Sequence, residues 1–374
     1  MAKKIAIITS HPIQYNAPLF ALMAKESEID LVVFYTWGEA VLGPKYDPDF
    51  GKEIEWDIPL LDGYNYIFLK NISKDPGSHH FKGIINPTLN QEIDAWGPDV
   101  IWVWGWSFCS HLNAMRYFKG KVPVWFRGDS TLLDESKRFT YRKIVRRVLL
   151  TLVYKLVDKA FYVGTHNKFY FKAHGLKENQ VVYAPHAIDN ERFADPTGKY
   201  TEQANFWRLE LGINKAATVL LFVGKLETKK NPFYFRQLIE KTVGDGIVGI
   251  MVGNGSLEEE LKKNAPSNLI FLPFQNQSIM PIVYRLANVL ILPSNGPSET
   301  WGLVINEALA CGTMVYASDK CGGAIDLLPP NFIFSPSNFN QRFDLVPAFN
   351  VELFDDYQKK FTYEMIVNSV LENI

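Results

Sequence analysis

The sequence predicts an α/β protein with two doubly wound, Rossmann-like domains, each built on a parallel sheet. An apolar run at 4–9, a helical pattern at 17–25 and a second apolar run at 29–35 form a strand–helix–strand unit, which requires parallel strands. Short apolar runs that end in polar turns recur through the rest of the chain. The length of 374 residues suits two domains better than one. Together these observations favour two linked sheets over a single small module.

The predicted first domain spans residues 1–197, and its later strands are short apolar runs near residues 99–104, 122–126, 161–164 and 181–183. The segment 194–199 is polar and rich in turn-forming residues, so it is interpreted as a linker. The rhythm of strands and helices then restarts, which predicts a second domain over residues 198–352. The last segment, 353–374, has a helical pattern and no strand after it, so this helix is expected to dock on one of the two domains.

Composition and charge exclude several classes of protein. Hydrophobic residues make up 47% and charged residues 21% of the chain, as in ordinary globular proteins rather than disordered ones. Lysine and arginine number 39 against 40 acidic residues, which gives no reason to expect nucleic acid as a partner. No apolar stretch reaches the ~18 residues of a transmembrane helix. The three cysteines, Cys109, Cys311 and Cys321, lack metal-ligand spacing, so reduced thiols and a cytoplasmic location are expected.

The strand end at 292–303 is the richest in polar and turn-forming residues. Ligands of doubly wound sheets bind beyond the carboxyl ends of the strands. Ser298 or Thr300 is expected to cap the helix that follows, and Gly312 is expected to end it. This segment is therefore the first candidate for a ligand site.

Exposed backbone amides at a helix N-terminus bind phosphate. The amides of Trp301, Gly302 and Leu303 are expected to have this role. Glu299 lies just before the helix and Glu307 lies inside it, where helical side chains lean back toward the N-terminus. Both carboxylates can therefore face one ligand and accept hydrogen bonds from its hydroxyl groups.

Two further strand ends complete the candidate site. Gly224 and Lys225 end one strand, and Lys230 lies in the loop after it. Positive charge at this position can neutralise a diphosphate. Gly253 and Asn254 belong to a glycine-rich turn at the end of the next strand. The three segments together predict a nucleotide site.

These segments resemble retaining glycosyltransferases of family 4, in which two Rossmann-like domains face each other across a cleft (the GT-B fold). Glu299 and Glu307 resemble the E-x7-E signature of that family. The segment 223–231, V-G-K-L-E-T-K-K-N, is similar to its V-G-R-L-x-x-x-K-G motif, and 252–261 is similar to its glycine turn. The ending F-T-Y-E at 361–364 resembles the F-S-W-E that opens the family's last helix, which crosses back onto the first domain.

The resemblance implies a role for each matching residue. In the family, the first glutamate contacts the donor sugar and the second contacts the nucleotide ribose, which here are Glu299 and Glu307. The basic pair, here Lys225 and Lys230, binds the diphosphate. The donor-binding set that follows from the resemblance is Gly224, Lys225, Lys230, Gly253, Asn254, Phe274, Glu299, Thr300, Trp301, Gly302, Leu303 and Glu307.

The sequence departs from the family at three places, one of which is the first-domain loop at 10–15, which is usually glycine-rich and here contains His11. Lys225 stands where arginine is usual, so a bidentate contact becomes a point charge. In the first domain, Asp129 stands near the position of a usual histidine. Asp129 and His11 are therefore candidates for catalysis beside Glu299 and the lysines. Trp106, Arg127 and Asp129 are candidates for acceptor binding.

No metal or other cofactor is expected. The segment D-P-D at 47–49 mimics the metal-binding D-x-D of another transferase fold, but it lies in a loop of glycine, proline and aspartate and is interpreted as a turn. Lysine and arginine interleave with apolar residues over 137–159, which is typical of a basic amphipathic helix. That helix is either packed in its domain with a solvated face or a dock for an anionic membrane.

The sequence thus predicts a retaining, metal-independent glycosyltransferase that uses a nucleotide-diphosphate sugar. The expected acceptor is a glycan or a lipid-linked molecule of cell-surface polysaccharide synthesis, and the expected location is cytoplasmic, with peripheral attachment to the inner face of the cytoplasmic membrane. One alternative is a sugar-nucleotide epimerase or hydrolase of the same architecture, with Asp129 and His11 as its acid–base pair. Another is a nucleotide-sugar-binding protein without catalysis.

Overall fold

The structure is a computed structural model, and it describes residues 1–38, 43, 45–47, 52–133, 135, 140–244, 246–338, 343, 357 and 359–374. The chain divides into two compact units. Unit 1 comprises Met1–Gly43, Pro59–Pro185 and Tyr363–Ile374, and unit 2 comprises Pro44–Ile58 and His186–Thr362. In the described residues, no helix is both long enough and apolar enough to cross a lipid bilayer.

The strands, in chain order, are β1 (Lys3–Thr9), β2 (Ile29–Tyr35), β3 (Lys45–Asp47), β4 (Lys52–Ile54), β5 (Asn65–Phe68), β6 (Val100–Trp104), β7 (Val124–Arg127), β8 (Lys159–Tyr162), β9 (Val181–Tyr183), β10 (Thr218–Val223), β11 (Ile247–Val252), β12 (Leu269–Leu272), β13 (Val289–Leu292), β14 (Met314–Ser318) and β15 (Ile333–Phe334). The helices are α1 (Ala17–Met23), α2 (Leu89–Trp96), α3 (Cys109–Phe118), α4 (Tyr141–Tyr154), α5 (Thr165–Ala173), α6 (Asn190–Phe193), α7 (Lys199–Glu210), α8 (Pro232–Glu240), α9 (Glu258–Lys262), α10 (Met280–Arg285), α11 (Leu303–Ala310), α12 (Ala324–Leu327) and α13 (Tyr363–Leu371).

Unit 1 contains a seven-stranded sheet in the order β5-β2-β1-β6-β7-β8-β9. Every neighbouring pair in it is parallel. Ile5, Ile7 and Ile8 of β1 are fully buried, as expected for a strand covered by helices on both faces of its sheet. Helix α13 belongs to this unit, where the Tyr363 hydroxyl donates to the Tyr15 carbonyl at 2.9 Å.

Unit 2 contains a six-stranded parallel sheet in the order β12-β11-β10-β13-β14-β15. The predicted fold class, an α/β protein with two parallel sheets, is therefore confirmed. In both sheets the strand order reverses beside the strand of the sheet that comes first in the chain, β1 in one sheet and β10 in the other. The carboxyl ends of strands at such a reversal are the usual place for a ligand.

An antiparallel hairpin of β3 and β4 belongs to unit 2, although it is inserted between strands of unit 1. The segment after the hairpin is fixed to the loop after β12. Asn276 Nδ2 donates to the Glu55 carbonyl at 2.5 Å, and the Ser278 amide donates to Asp57 Oδ1 at 3.1 Å. The sequence contained no signal for this placement, because it depends on contacts between residues 221 positions apart.

The boundary between the main parts of the two units falls at Pro185, not at the predicted residue 197. Residues 186–197 belong to unit 2 because α6 is anchored there. Arg192 Nη1 donates to Gln277 Oε1 at 2.8 Å, and Arg285 Nη2 donates to the Phe193 carbonyl at 2.7 Å. The last segment of unit 1 begins at Tyr363 rather than at residue 353.

Candidate functional site

Two glycine-containing loops touch at the carboxyl ends of β10 and β11. Gly224 follows β10, and Gly253 follows β11 with a φ of 140°. A Cβ atom on Gly253 would lie 2.0 Å from the Gly224 carbonyl oxygen. The Leu226 amide also donates to the Asn254 carbonyl at 2.9 Å. Only glycine allows both this backbone conformation and this close approach, so the sequence motif reflects a steric requirement.

Lys230 and Glu299 form an ion pair in unit 2. Lys230 ends a short 3₁₀ turn after β10, and its side-chain carbons lie 3.8 Å from the position that a Cβ of Gly224 would occupy. Its Nζ lies 2.5 Å from Glu299 Oε2, to which Ser294 Oγ also donates at 3.0 Å. Glu299 is only 7% exposed. The pair therefore brings together two residues that the sequence predicted for one site, in surroundings that screen the charges weakly.

The loop that carries Glu299 is held by the loop after β14. The Gly322 amide donates to the Glu299 carbonyl at 3.0 Å, and the Gly323 amide donates to the Trp301 carbonyl at 2.9 Å. These bonds fix the backbone on both sides of Thr300. The carboxylate of Glu299 is therefore positioned before any ligand binds, as a binding site requires.

Helix α11 begins directly after Gly302, which is the N-cap residue and has a φ of 90°. The expectation that Ser298 or Thr300 caps this helix is wrong, because the left-handed turn at Gly302 places both residues too early in the chain. Gly302 has no side chain that could cap the helix. The Ile305 amide donates to the Gly302 carbonyl at 2.9 Å, whereas the amides of Leu303 and Val304 come before the helical bonding pattern begins. Gly312, with a φ of 75°, follows the C-cap residue, so the predicted end of the helix is confirmed.

Trp301 is buried, and its ring is part of the interior of unit 2. Its Nε1 donates to Asn306 Oδ1 at 2.7 Å, and Asn306 Nδ2 donates in turn to the His186 carbonyl at 3.2 Å. Asn306 thus links Trp301, in the loop before α11, to His186, the residue at which the second segment of unit 2 begins. The sequence interpretation had not singled out Asn306, although its place inside the Glu299–Glu307 motif was a signal.

Glu307 lies in α11 and is 2% exposed. The hydroxyl of Tyr284, on α10, donates to its Oε2. Tyr357 is also close, and burial together with the negative charge of Glu307 raises the pKa of Tyr357. The two glutamates of the motif therefore have different environments, one beside a cation and the other beside phenol groups. Tyr284 had no signal in the sequence beyond being a polar residue in an apolar helix.

Asn254 connects the glycine-rich turn to the loop after β12. Its Nδ2 donates to Glu258 Oε2 at 2.8 Å, and its Oδ1 accepts from the Phe274 amide at 2.9 Å. The ring of Phe274 lies 6.4 Å from that of Trp56. Lys225, which directly follows Gly224, is half-buried. All the residues predicted for donor binding thus belong to unit 2.

Arg127 is buried at the end of β7 in unit 1. Its Nη1 and Nη2 donate to the carbonyls of Ala184 and Pro185 at 2.8 and 3.0 Å. Burial lowers the pKa of Arg127 to about 10, opposed by the nearby charge of Asp129. The guanidinium group therefore binds the last two residues of this segment of unit 1. The negative charge of Asp129 is close enough to affect the pKa of Arg127.

Two histidines of unit 1 have different environments. His11 is half-buried, and its Nδ1 lies 2.9 Å from Ser10 Oγ. His111 is fully buried, with Nδ1 2.6 Å from the Gly105 carbonyl and Nε2 2.8 Å from Thr36 Oγ1. Burial lowers the pKa of His111 to about 4, although backbone carbonyls raise it in part. His111 is therefore a neutral part of the interior at neutral pH.

Trp106, the third candidate for acceptor binding, is half-buried after β6. It lines a cavity of about 530 Å³ in unit 1. Ligand pockets of proteins span roughly 300–1,000 Å³. The other residues that line this cavity are Ser78, His79, His80, Phe81, Ser107, Leu112 and Leu149.

Of the D-P-D segment, Asp47 ends β3, while Pro48 and Asp49 lie outside the described residues. Elsewhere in the described part of the chain, Asp75, His79 and His80 place possible metal-ligating atoms within 4.8 Å of one another. His80 Nε2 lies 3.0 Å from the Asp75 carbonyl, and Asp75 is exposed. This group belongs to unit 1 and is separate in sequence from the predicted donor residues.

Residues 203–342 match the profile of a family described as glycosyl transferases group 1. A D-inositol 3-phosphate glycosyltransferase of Geodermatophilus obscurus is 30% identical over 161 residues, which cover 39% of this chain and 34% of that protein. A processive diacylglycerol alpha-glucosyltransferase of Acholeplasma laidlawii is 23% identical over 219 residues, which cover 56% of this chain and 64% of that protein. The chain thus spans about a third of the length of the first relative and less than two thirds of the second.

A solved structure extends the comparison to the whole chain. HepE of Anabaena, in complex with UDP and glucose, superposes with a TM-score of 0.68 and covers 99% of both chains at 12% identity. At that level of identity the likeness shows a shared fold. HepE, which was solved with UDP bound, therefore shares the fold with two parallel sheets described above.

Proposed function

Because residues 203–342 match the profile of the glycosyl transferases of group 1, we propose that the chain transfers a sugar, with retention of configuration, from a nucleotide-diphosphate sugar to a glycan or lipid-linked acceptor. The observation that carries the proposal is the Lys230–Glu299 ion pair, with 2.5 Å between Nζ and Oε2. A diphosphate and a sugar hydroxyl are the groups that such a cation and such a carboxylate bind. The donor would exchange the internal pair for two contacts of its own.

The charges of unit 2 suit a leaving nucleoside diphosphate. Lys230 and Lys225 follow β10, and the N-terminus of α11 presents backbone amides after Gly302. Charge-assisted contacts to phosphate are about twice as strong as neutral hydrogen bonds. Fixed donors in a partly buried site stabilise charge as it develops in the transition state. This supports catalysis by electrostatic stabilisation, with no metal ion needed.

The proposed step proceeds on one face of the sugar. The bond from the anomeric carbon to the diphosphate oxygen breaks, and the acceptor oxygen forms a bond to the same carbon. The proton of the acceptor hydroxyl moves to an oxygen of the departing diphosphate. Glu299 holds the donor sugar, Glu307 holds the ribose, and Lys225 and Lys230 hold the diphosphate. Asp129 and His11 of unit 1 remain proposed candidates for catalysis, although this step assigns no proton to either of them.

The proposed acceptor belongs to the synthesis of cell-surface polysaccharide or glycolipid, at the inner face of the cytoplasmic membrane. The similarity to a diacylglycerol alpha-glucosyltransferase supports an acceptor of amphiphilic character. Arg127 and Trp106 remain proposed acceptor residues, with Trp106 beside its cavity.

A screen of nucleotide sugars by thermal shift tests the proposal. A donor present at 100 times its Kd stabilises the folded state by about 2.7 kcal/mol, which corresponds to roughly 5–10 °C for a domain of this size. The bound donor is then incubated with candidate acceptors, and the anomeric proton of the product is observed by NMR. Retention supports the proposal, and an inverted product contradicts the mechanism. Rapid epimerisation or hydrolysis of the donor without acceptor would instead favour an epimerase or hydrolase.

A further inference from the structure

Helix α4 has apolar residues on two opposite sides. Leu150, Val153 and Tyr154 are buried against the core of unit 1. At 3.6 residues per turn, Val145 and Val148 lie on the other side of the helix. They are 62% and 55% exposed. The helix is therefore not an ordinary amphipathic helix of the domain surface, whose outer side would be polar.

The outer apolar side is continuous along the whole helix. We call it the α4 stripe, and its exposed residues are Tyr141, Ile144, Val145, Val148, Leu149 and Leu152. Tyr141, Val145, Val148 and Leu152 follow one another at the spacing of one helix face. Thr140 Oγ1 accepts from the Lys143 amide at 3.3 Å and caps the helix, so the stripe is formed in the free protein.

Positive charge flanks the α4 stripe on both sides. Arg142 and Arg146 lie on one flank and Arg147 on the other, and all three are exposed. The helix contains no acidic residue. Arg147 donates to the Ala173 carbonyl at 2.8 Å rather than to a carboxylate, so its charge is not neutralised there. Lys143 is the exception, because its Nζ lies 3.1 Å from Glu135.

We propose that the α4 stripe is a docking surface for an anionic lipid bilayer, into which its apolar side chains insert while the flanking arginines contact lipid phosphates. The 14 residues of α4 are too few to span a bilayer but suit a helix that lies in the interface, with its apolar face buried about 5–10 Å deep. Long arginine side chains can reach the headgroups from the flanks.

A second copy of the chain fits the stripe less well. A two-fold contact between two α4 stripes would bring the same flanks together, so Arg142 and Arg146 would face arginines with no carboxylate from the helix between them. Like charges in an interface weaken association. An anionic bilayer instead provides a hydrocarbon layer for the α4 stripe and lipid phosphates for the arginines on both flanks.

The cavity that contains Trp106 lies next to the stripe. Leu149 lines this cavity and is also an exposed member of the stripe. A protein held by the α4 stripe would therefore have the cavity, with Trp106, His79 and His80 on its wall, beside the lipid headgroups. This part of the inference rests on the proposed function, since it commits the acceptor to an amphiphile that remains anchored in the membrane.

The test measures binding to vesicles of phosphatidylcholine alone and of phosphatidylcholine mixed with phosphatidylglycerol, by sedimentation at low salt and at ~0.15 M salt. We expect the wild-type chain to bind the mixed vesicles. The Arg142→Gln, Arg146→Gln pair should weaken the partition coefficient about 30-fold, from two charges near the surface. The Val145→Ser, Val148→Ser pair should weaken it about 10- to 100-fold.

The matched control substitutes two equally exposed apolar residues elsewhere. Phe206 and Leu209 on α7 are 62% and 69% exposed, and Phe206→Ser, Leu209→Ser should bind vesicles as the wild type does. Circular dichroism and the thermal shift with nucleotide sugar show that each variant is folded and that unit 2 still binds donor. These readouts separate a failure of docking from a failure of the proposed transferase function.

Three results would overturn the inference. The first is a wild-type chain that binds neither kind of vesicle. The second is vesicle binding that depends on Arg142 and Arg146 but not on Val145 and Val148, because insertion would then be absent. The third is a concentration-dependent dimer that the valine substitutions abolish while vesicle binding is unchanged, because the stripe would then be an interface between copies.

Discussion

Lys230 Nζ lies 2.5 Å from Glu299 Oε2, although the two residues are 69 positions apart in the chain. They meet because the neighbouring parallel strands β10 and β13 end at the same edge of the sheet, and each residue lies in the loop after its strand. Ser294 donates to the same carboxylate oxygen at 3.0 Å. The two charges are therefore paired with each other, and the proposed donor would have to separate them.

Replacing Lys230 with alanine should lower the affinity for the nucleoside diphosphate about 10- to 100-fold, because a charge-assisted contact to phosphate contributes about 1.5–3 kcal/mol. Isothermal calorimetry measures the change. Lys229→Ala is the matched control, since Lys229 is adjacent in sequence but lies 3.7 Å from Glu227 instead. Equal losses in the two variants would contradict a specific role for Lys230.

Glu299→Gln should abolish most of the transfer while leaving nucleoside diphosphate affinity nearly unchanged, because Glu299 is proposed to hold the sugar. Glu307→Ala should weaken nucleotide affinity by about 1.5–3 kcal/mol. It should also lower the free energy of unfolding, because Glu307 is buried and accepts from Tyr284. Tyr284→Phe keeps the carboxylate and removes only the hydroxyl, so it separates the effect on stability from the effect on binding. The same kinetic and binding defects in both glutamate variants would refute the division of roles.

Transfer should continue in excess EDTA. The positive charge for the diphosphate is proposed to come from Lys225, Lys230 and the N-terminus of α11, so the Lys225→Ala, Lys230→Ala double variant should lose most activity. Initial rates with and without EDTA provide the measurement. Complete loss of activity in EDTA that manganese restores would contradict a metal-independent mechanism.

Protonation of His111 should destabilise unit 1 in acid. Burial lowers the pKa of His111 to about 4 from an ordinary value of 6.5, so the unfolded chain takes up a proton that the folded chain excludes. The contribution is complete above pH ~6.5 and falls by up to about 3 kcal/mol as the pH drops toward 4. Urea unfolding at several pH values measures it, with His111→Gln as the reference. A free-energy difference between the two proteins that does not change with pH would disprove this assignment.

Gly253→Ala should disrupt the contact between the loops after β10 and β11. A Cβ there would lie 2.0 Å from a backbone oxygen, which the protein can relieve only by moving the loops. We expect a loss of donor affinity and a loss of stability larger than the ~1–3 kcal/mol of backbone strain alone. Gly212→Ala is the control, because Gly212 also has a positive φ, 70°, but has open space around its Cβ position. Similar donor affinity in the two variants would show that the loop contact does not shape the site.

Much of the fold and part of the site followed from the sequence. The apolar run of β1 and the pattern of strands after it are local signals, and the parallel sheets were predicted correctly. The closeness of Lys230 to Glu299 follows from strand order, because both lie at strand ends. The N-cap of α11 was misplaced, since Gly302 turns the chain after both of the expected cap residues. The bond from Tyr284 to Glu307 could not be predicted, because it depends on how α10 packs against α11.

The periodicity of α4 did not predict which side of the helix is buried. Apolar residues at 145, 148, 150 and 153 are visible in the sequence, but periodicity alone does not tell which of two apolar faces is covered. Packing decides it, because Leu150 and Val153 reach the core of unit 1 whereas Val145 and Val148 do not. Periodicity alone therefore left both interpretations of this basic helix open. Its residues 137 and 138 lie outside the described part of the chain.

The inserted hairpin has a consequence for biosynthesis. Residues 44–58 leave the ribosome well before residues 186–362, yet they belong to the same compact unit. The bond between Asp57 and the Ser278 amide can therefore form only after residue 278 has been translated. A fragment that begins at His186 would lack the hairpin and the contacts of the segment after it with Asn276 and Ser278. The order of folding is thus constrained by connectivity as well as by local stability.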